Sequence, residues 1–462
     1  MNLRRNLKVF AQAAHPRSKV FAQAAHPRSS VLAVLGLATV FALLLVAAVL
    51  LGRTGESTGK TVVTVRLWDQ QVASAYRKSF DEFSRRHPGV EIRVDVVAYS
   101  TYFDTLRTDV AGGSADDIFW INNAYFAAYA DNGRLMAIAS DRRWEPSVVD
   151  QFTRNGALWG VPQLTDAGIA VYYNADLLAA AGVNRAILNT LHWSPHDGGD
   201  TLRPLLARLT IDDAGRDAAA PGFDAGRTRQ WGYNAANDLQ GIYLSYIGSA
   251  GGTFSDGDRF AFDNAPAVAT FRYLVQLINV DRVSPPASDT NDNSDFSRNE
   301  FLQGRMALFQ SGTYNLANVA ANARFRWGVA MLPIGPAGRV SVTNGIAAAG
   351  NSASHNPAAV RDVLAWMGSE QGNAYVAEGG AAVPAVLVAQ RAYFNYWGAR
   401  GVDVAPFFDV LKGPRIAAPG GAGFAAGFQA IKPYFDEIFL GRRDVARTLA
   451  DAQAAANSAA AR

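Results

Sequence analysis

Between residues 61 and 120 the hydrophobic period changes from strand to helix and back, and this alternation limits the possible folds more than any other feature of the chain. Val63, Val65 and Leu67 alternate with Thr64 and Arg66 before Trp68, the two-residue period of a strand. Tyr76, Phe80 and Phe83 then recur at helical spacing with Arg77, Lys78, Asp81 and Glu82 between them, until Pro88-Gly89 stops the run. Val90, Ile92, Val94 and Val96 make a second strand pattern, Phe103, Leu106 and Val110 a second helical stripe closed by Gly112-Gly113, and residues 117–120 a third strand. Alternating strands and helices predict an open α/β sheet whose loops, at the carboxyl ends of the strands, share one ligand-binding crevice. Two of those loops are expected to begin at Trp68 and Trp120.

The pattern returns further along. An apolar strand is expected at 168–173, followed by a helix over Ala175–Ala181 with Asn174 as its cap and Gly182 as its stop. Residues 194–230, polar and rich in Gly, Pro and Asp, read as an irregular insertion. Helices are expected at 237–248, 265–280, 297–308 and 357–367, and a strand at 326–332. Two α/β lobes accommodate this inventory. At roughly 100–200 residues per domain, a chain of 462 residues can bury a core in each without covalent staples. It has no cysteine, which removes disulfide scaffolds, zinc-thiolate sites and cysteine nucleophiles.

The start of the chain is of another kind. Val31–Leu51 reads VLAVLGLATVFALLLVAAVLL, without a charge, and is long enough for the roughly 20 residues that a helical bilayer crossing needs. The basic residues Arg4, Arg5, Lys8, Arg17, Lys19 and Arg28 all precede it, so the positive-inside tendency keeps the leader cytoplasmic and sends the chain beyond Arg53 outward. The expectation is a basic cytoplasmic leader at 1–30, a transmembrane or signal anchor at 31–51, a Gly/Ser/Thr-rich linker at 52–59, and a body held at the cell membrane on its extracytoplasmic side. A cleaved signal peptide has a shorter apolar stretch, and cleavage would export the body as well. Leu50-Leu51-Gly52-Arg53 resembles a bacterial lipoprotein box with arginine in place of the lipid-bearing cysteine, so lipidation there is excluded. KVFAQAAHPRS stands at 8–18 and again at 19–29, a tandem copy too short to stack as a solenoid. The net charge of +3 comes from this region, because the chain after residue 59 holds 36 basic against 39 acidic residues. Such a body has no bulk attraction for nucleic acid.

Ten segments then recur in a familiar order over about residues 61–455: VRLWDQ, FDEFSRRHPGVEIRV, VAGGSADDIFW, YADNGRL, GALWGVPQLTDAGIAVYYNADLLAAAGV, Gly251-Gly252, FLQGRMALFQSGTY, FRWGVAMLPIGPAGR, Asn344-Gly345 and LGRRDVARTLADAQAAAN. In this order the chain resembles the extracellular solute-binding proteins of the maltose-binding type, the capture subunits of carbohydrate ABC importers, and among them the actinobacterial subunits for amino sugars and trehalose. The resemblance implies a two-lobed periplasmic-binding-protein fold of type II, with 60–165 and 346–392 in an N-lobe and 166–345 and 393–462 in a C-lobe. It also implies hinge closure on a carbohydrate, delivery to an ABC permease and its ATPase, no catalysis and no cofactor. Two departures stand out. The Pro-Pro-x-Thr-Trp that the family often carries after the AGV turn is replaced by NRAILNTLHW, so the helix after Trp193 is expected to be displaced, and the lipid-bearing cysteine is missing.

A saccharide offers hydroxyls at its edges and C–H patches on its faces, so its site needs acceptors such as Asp and Asn together with aromatic planes. Trp68, Asp69 and Gln70 leave the first strand, Trp120, Asn122 and Asn123 leave the third, and Asp166 precedes the strand at 168–173. The resemblance implies that Asp166 lies at an interlobe crossover and accepts sugar hydroxyls, and that Tyr314 of Gly312-Thr313-Tyr314 stacks on a ring. It further implies C-lobe contacts from Tyr243 and the Asn344-Gly345 turn, and a rim closed by Arg415. Each residue also has a plainer reading. Either tryptophan can be core, Asn122-Asn123 can start a helix running to Ala130, Asp166 can be a turn acid, Tyr243 a helix core residue and Arg415 a surface charge.

Other chemistries find less support. Asp289, Asn291, Asn293, Ser297 and Glu300 sit at calcium-loop spacing, but Ser294 holds the place of the required glycine, and Ser297-x-x-Glu300 before Phe301-Leu302 reads as a capping box, so no metal is expected. A glycoside hydrolase needs two carboxylates about 5–5.5 Å or about 6.5–9.5 Å apart across the sugar. Asp69 with Asp166 is the one pair that falls in a common cleft, and no glycosidase motif surrounds either. A binder of glycerophosphodiesters or polyol phosphates wants a basic cleft, toward which the sequence offers Arg415 alone.

Overall fold

Eight strands of four or more residues build the two main sheets of the computed structural model, which describes residues 59–462 apart from Asp197. They are β1 (Thr61–Leu67), β2 (Val90–Val96), β3 (Ile118–Asn122), β4 (Val161–Thr165), β5 (Ala170–Asn174), β6 (Leu308–Ser311), β7 (Trp327–Ala330) and β8 (Gly345–Gly350). The leader, the apolar segment 31–51 and linker residues 52–58 lie outside the described residues. Among the described residues no helix is long and apolar enough to cross a membrane.

The first sheet has the order β2-β1-β3-β8-β4. β1 runs parallel to β2 and β3, and β8 runs antiparallel to β3 and β4. The helices Gln70–Arg86 and Tyr99–Gly112 connect its parallel strands. Tyr76, Phe80 and Phe83 turn the first of these helices onto the sheet and are buried with Val63, Val65 and Leu67. Gly113, at φ 73°, ends the second in a left-handed conformation that glycine adopts without strain from a Cβ. The second sheet, β6-β5-β7, is antiparallel throughout. One of its faces carries the large cluster around Tyr233, Tyr243, Phe271 and Phe435, and the other a smaller one around Tyr172, Phe301, Tyr393 and Trp397. Each sheet thus organises its own core, and the molecule is a two-lobed, mixed α/β periplasmic-binding-protein fold.

The chain passes between the sheets at 166–169 and again at 331–344. The first crossing is tight, because a Cβ on Gly168 would lie 2.2 Å from Val410 Cγ1 and 2.9 Å from the Phe407 carbonyl, to which the Gly168 N–H donates at 2.7 Å. Helices Ala265–Asn279 and Pro357–Met367 and the strand Trp327–Ala330 lie where periodicity puts them, and Asn174 caps Ala175–Ala180 through Asp176 N and Leu177 N.

Other elements differ from expectation. Residues 194–230 hold the helix Leu202–Leu209, whose four leucines are buried, and the buried Asp212, which accepts from the Arg216 and Asp224 amides at 2.9 and 3.1 Å. The helix expected at 297–308 is Phe296–Leu302 alone, since Gly304 turns the chain at φ 73° and 308–311 pair as β6. The expected capping box does not form, because Ser297 lies inside the helix and Glu300 turns to Arg305, whose Nε donates at 2.9 Å. The stretch at 237–248 divides into a π-turn, Leu239–Tyr243, and the helix Leu244–Ser249.

Candidate functional site

Residues that leave β1, β2 and β3 form an aromatic wall beside the first crossing. The Trp68 ring meets Tyr99, Tyr102, Phe103 and Trp120 at centroid distances of 5.6, 4.8, 5.7 and 5.0 Å, mostly edge to face, the arrangement that ring quadrupoles favour. Phe103 stacks on Tyr125 at 3.9 Å, and Tyr125 reaches the C-lobe ring of Phe424 at 5.7 Å. Asp69 follows Trp68 and caps the helix Gln70–Arg86, accepting from the amides of Gln71 and Val72 at 2.8 Å each. Gln70 is exposed on the first turn.

Asp166 stands where the two crossings meet. Its N–H donates to the Asn344 carbonyl at 2.8 Å, and the Thr343 hydroxyl donates to the Asp166 carbonyl. Its carboxylate accepts from Gln240 Nε2 at 3.3 Å, while Gln240 Oε1 accepts from Asn344 Nδ2. From the N-lobe, Gln151 Oε1 accepts from Gly345 N at 2.6 Å and Gln151 Nε2 donates to the Thr343 carbonyl at 3.4 Å. A Cβ on Gly345 would lie 2.6 Å from Val148 Cγ1, so β8 starts here only with glycine. Gln240 rides on the π-turn, which Asp238 closes by accepting from the Gly241 N–H at 2.8 Å. Tyr314, on the turn Thr313–Asn315 after β6, folds back over Gly312, where a Cβ would lie 2.3 Å from its ring.

The electrostatics bring these groups into one space. Burial raises the Asp166 carboxyl to about 7, the bond from Gln240 pulls it down, and the negative charge of Asp69 raises it further. Asp69 and Asp238 are also raised, mainly by desolvation and against the bonds from their helix-start amides. Tyr99 and Tyr314 are raised by desolvation and by the charges of Asp166 and Asp238. Yet Tyr99 is 56% exposed, Tyr314 40%, and Asp238 is open to solvent. A group on a convex surface keeps its ordinary value, and one in a core has no water. Water contact combined with protein crowding on several sides is the signature of a cleft. Among the described residues no Lys or Arg lies close enough to shift Asp69, Asp166 or Asp238.

Several residues singled out from the sequence lie elsewhere. β3 runs two residues past Trp120, which puts this tryptophan in mid-strand, fully buried behind Trp68. Asn122 is the last residue of β3 and buried, with no hydrogen-bond partner for its Oδ1 among the described residues. Asn123 turns to the C-lobe, donating to the Pro419 carbonyl at 3.3 Å, and neither asparagine caps the helix Phe126–Asp131. Tyr243 is 1% exposed among Phe254, Phe271 and Phe435 and belongs to the C-lobe core. Arg415 is exposed on a strand-like segment beside Ser341 and shifts none of the three carboxylates. Two of the calcium-loop residues take other partners, Asn291 Nδ2 donating to the Asp436 carbonyl at 3.2 Å and Glu300 accepting from Arg305. Among the described residues no three His, Asp or Glu side chains converge as metal ligands.

Sequence reasoning missed Tyr99, Asp238, Gln240 and Gln151. Tyr99 leaves the carboxyl end of β2, where the rule that found Trp68 would have found it too. Asp238 was accessible as an N-cap before an apolar run. Nothing in the sequence marks Gln240 or Gln151, which act through the meeting of segments far apart in the chain.

Comparison with known proteins leads to the same fold. The model of the family "Bacterial extracellular solute-binding protein" matches residues 68–374. The crystal structure of M. tuberculosis UspC is similar over 86% of this chain and 100% of that one, at 72% identity and a TM-score of 0.71. The substrate-binding protein Lmo0181 of Listeria monocytogenes, solved in complex with cycloalternan, shares the fold over 86% of this chain and 98% of that one at 18% identity and a TM-score of 0.73. The maltodextrin-binding protein MdxE of Bacillus subtilis is 23% identical over 61% of this chain and 63% of its own length.

Proposed function

The chain belongs to the bacterial extracellular solute-binding proteins, and from that premise we propose that it captures a carbohydrate outside the cytoplasm for an ABC importer. Its two lobes close over one ligand, and the closed form is what the permease and its ATPase recognise. The observation that carries the ligand class is the one-sided chemistry of the cleft. Aromatic rings at Trp68, Tyr99 and Tyr314 offer faces for C–H patches, while Asp69, Asp166 and Asp238 offer acceptors and negative charge. A saccharide bearing an ammonium group satisfies both, so an amino sugar or a short oligosaccharide containing one is the ligand of choice. Similar proteins solved or named with cycloalternan and maltodextrin support the saccharide part of this reading. A glycerophosphodiester would bring its own negative charge against three carboxylates.

The protein releases its ligand unaltered. Asp166, near 7, is the kind of carboxyl that glycosidases use as an acid, but the family is one of solute-binding proteins, and we read it as an acceptor for the ligand. We also propose that Val31–Leu51 stays in the membrane as an anchor, keeping the receptor close to its permease; N-terminal sequencing of protein from membrane and soluble fractions checks this, and a start between residues 48 and 60 in the soluble fraction contradicts it. Titration calorimetry of the full-length protein with D-glucosamine, chitobiose, maltotriose and glycerol 3-phosphate tests the ligand class. Heat with a saccharide and none with the phosphate is expected, and the reverse overturns the proposal. New reducing ends after prolonged incubation with an oligosaccharide would show an enzyme instead.

A further inference from the structure

Two of the crossings between the lobes, at 166–169 and 331–344, meet at Asp166, and each lobe grips them with one glutamine. Gln151 of the N-lobe holds only backbone, the Gly345 N–H and the Thr343 carbonyl. Gln240 of the C-lobe holds side chains. It donates to the Asp166 carboxylate on the first crossing at 3.3 Å and accepts from Asn344 Nδ2 on the second. The turn beneath it is pinned from two directions, Asp238 closing on the Gly241 N–H and Gln310 Nε2 donating to the Gly241 carbonyl at 2.7 Å. Gln240 therefore has a fixed base, and its amide makes one long bond, 3.3 Å, to the Asp166 carboxylate. A ligand that takes Asp166 draws on the lone pairs that Gln240 uses. Because the same amide holds Asn344, any re-aiming at Asp166 reaches the second crossing as well.

We propose that Gln240 is a positioning residue that couples occupancy of the cleft to closure of the lobes, by joining the ligand-facing Asp166 to Asn344 of the second crossing. For the identity of the ligand this rests on the carbohydrate-receptor reading; for the grip on the crossings it does not. Pi-turns recur at functional positions because their widened turn re-aims side chains. Here the widening points Asp238 and Gln240 at the cleft and Tyr243 at the core.

The test uses the absence of cysteine from the chain. Lys78→Cys on the N-lobe helix and Arg272→Cys on a C-lobe helix, both exposed, give one spin-label pair whose distance distribution reports lobe separation. Gln240→Met keeps the length of the side chain and removes donor and acceptor. It is expected to broaden the distribution in the ligand-free protein and to weaken binding of D-glucosamine about tenfold, because Asp166 and Asn344 must then be ordered on binding. Gln240→Glu retains the acceptor for Asn344 but sets a carboxylate against Asp166. Its distribution should be broad at alkaline pH and narrow again on acidification, once the two carboxyls share a proton. Damage to the fold would not reverse in this way. A wild-type distance distribution and wild-type affinity in Gln240→Met overturn the proposal. If the unmodified protein binds no saccharide, the carbohydrate reading fails, while the ligand-free distributions still decide the role of Gln240.

Discussion

The two walls of the cleft differ in how far their side chains are already committed. On the N-lobe wall Trp68 is held by four neighbouring rings, Trp120 is buried behind it, and Asp69 is fixed by two helix amides that bond its Oδ1. At the crossings and on the C-lobe wall, Asp166 accepts one long bond from a side chain, Asp238 is open to water although it also caps its turn, and Tyr314 is 40% exposed. The first wall is a platform whose shape does not depend on a ligand. The second holds acids that no Lys or Arg among the described residues lies close enough to shift. Preorganised faces lower the ordering cost of binding, and on the proposed reading the acids would supply the affinity that distinguishes a cationic ligand from a neutral one.

Substitutions on the platform should therefore damage the fold, and those opposite should damage binding. The largest effect is expected from Trp120→Ala, which empties a fully buried site in the N-lobe core and should lower unfolding stability by about 3–5 kcal/mol in denaturant titration. A near-native stability with lost binding would return Trp120 to the ligand.

Asp166→Ala comes next. It should weaken binding by about 1.5–3 kcal/mol in calorimetry with the lobes still folded. Its effect on stability has the opposite sign. A carboxyl raised from 3.8 in the unfolded chain to about 7 in the folded one holds its proton more tightly when folded, so ligand-free stability falls as pH climbs through that window. Asp166→Asn should remove this fall, leaving the ligand-free variant more stable than the parent above about pH 7 and weaker in binding. Equal stabilities at alkaline pH would show that Asp166 is not held near neutrality.

Asp69→Ala is expected to cost about 1 kcal/mol of stability through its lost cap, and less in affinity, because its charge adds to the field at Asp166 without being free to turn. A loss of binding larger than that of Asp166→Ala would erase the distinction between the walls. The smallest effect belongs to Arg154→Ala. Arg154 holds Asp131 at 2.7 Å and, across the mouth, Asp258 at 3.1 Å, an ion pair at the surface whose worth is about 0–1 kcal/mol. A small rise in dissociation rate by stopped flow is the expected trace.

The same contrast explains what the sequence made legible. The N-lobe wall is set by period and strand ends, which are local signals, so β1, Trp68 and the helix cap at Asp69 could be read directly. Trp120 was misplaced because the end of a strand is set by its partners: β8 pairs with β3 as far as Asn122, and no local signal announces that. Tyr243, which the resemblance offers as a ligand contact, takes the plainer of its two readings and is a core residue at the end of a π-turn. Asp166 could be named from its neighbours, but not the amide that aims it, since Gln240, Asn344 and Asp166 meet only through the two crossings.

The claim that uncommitted acids select the ligand is tested most directly by one comparison, the affinities of the full-length protein for D-glucosamine and N-acetyl-D-glucosamine at about pH 5.5 and about pH 7.5. The two sugars differ in the ammonium group, and the two pH values straddle the titration of Asp166 at about 7. Ionising Asp166 strengthens its hold on a cation, so D-glucosamine, counted as its ammonium form at each pH, should bind more tightly at the higher pH and should be preferred there over the acetylated sugar, with the preference shrinking at the lower pH. Equal affinities for the two sugars at both pH values would contradict the account.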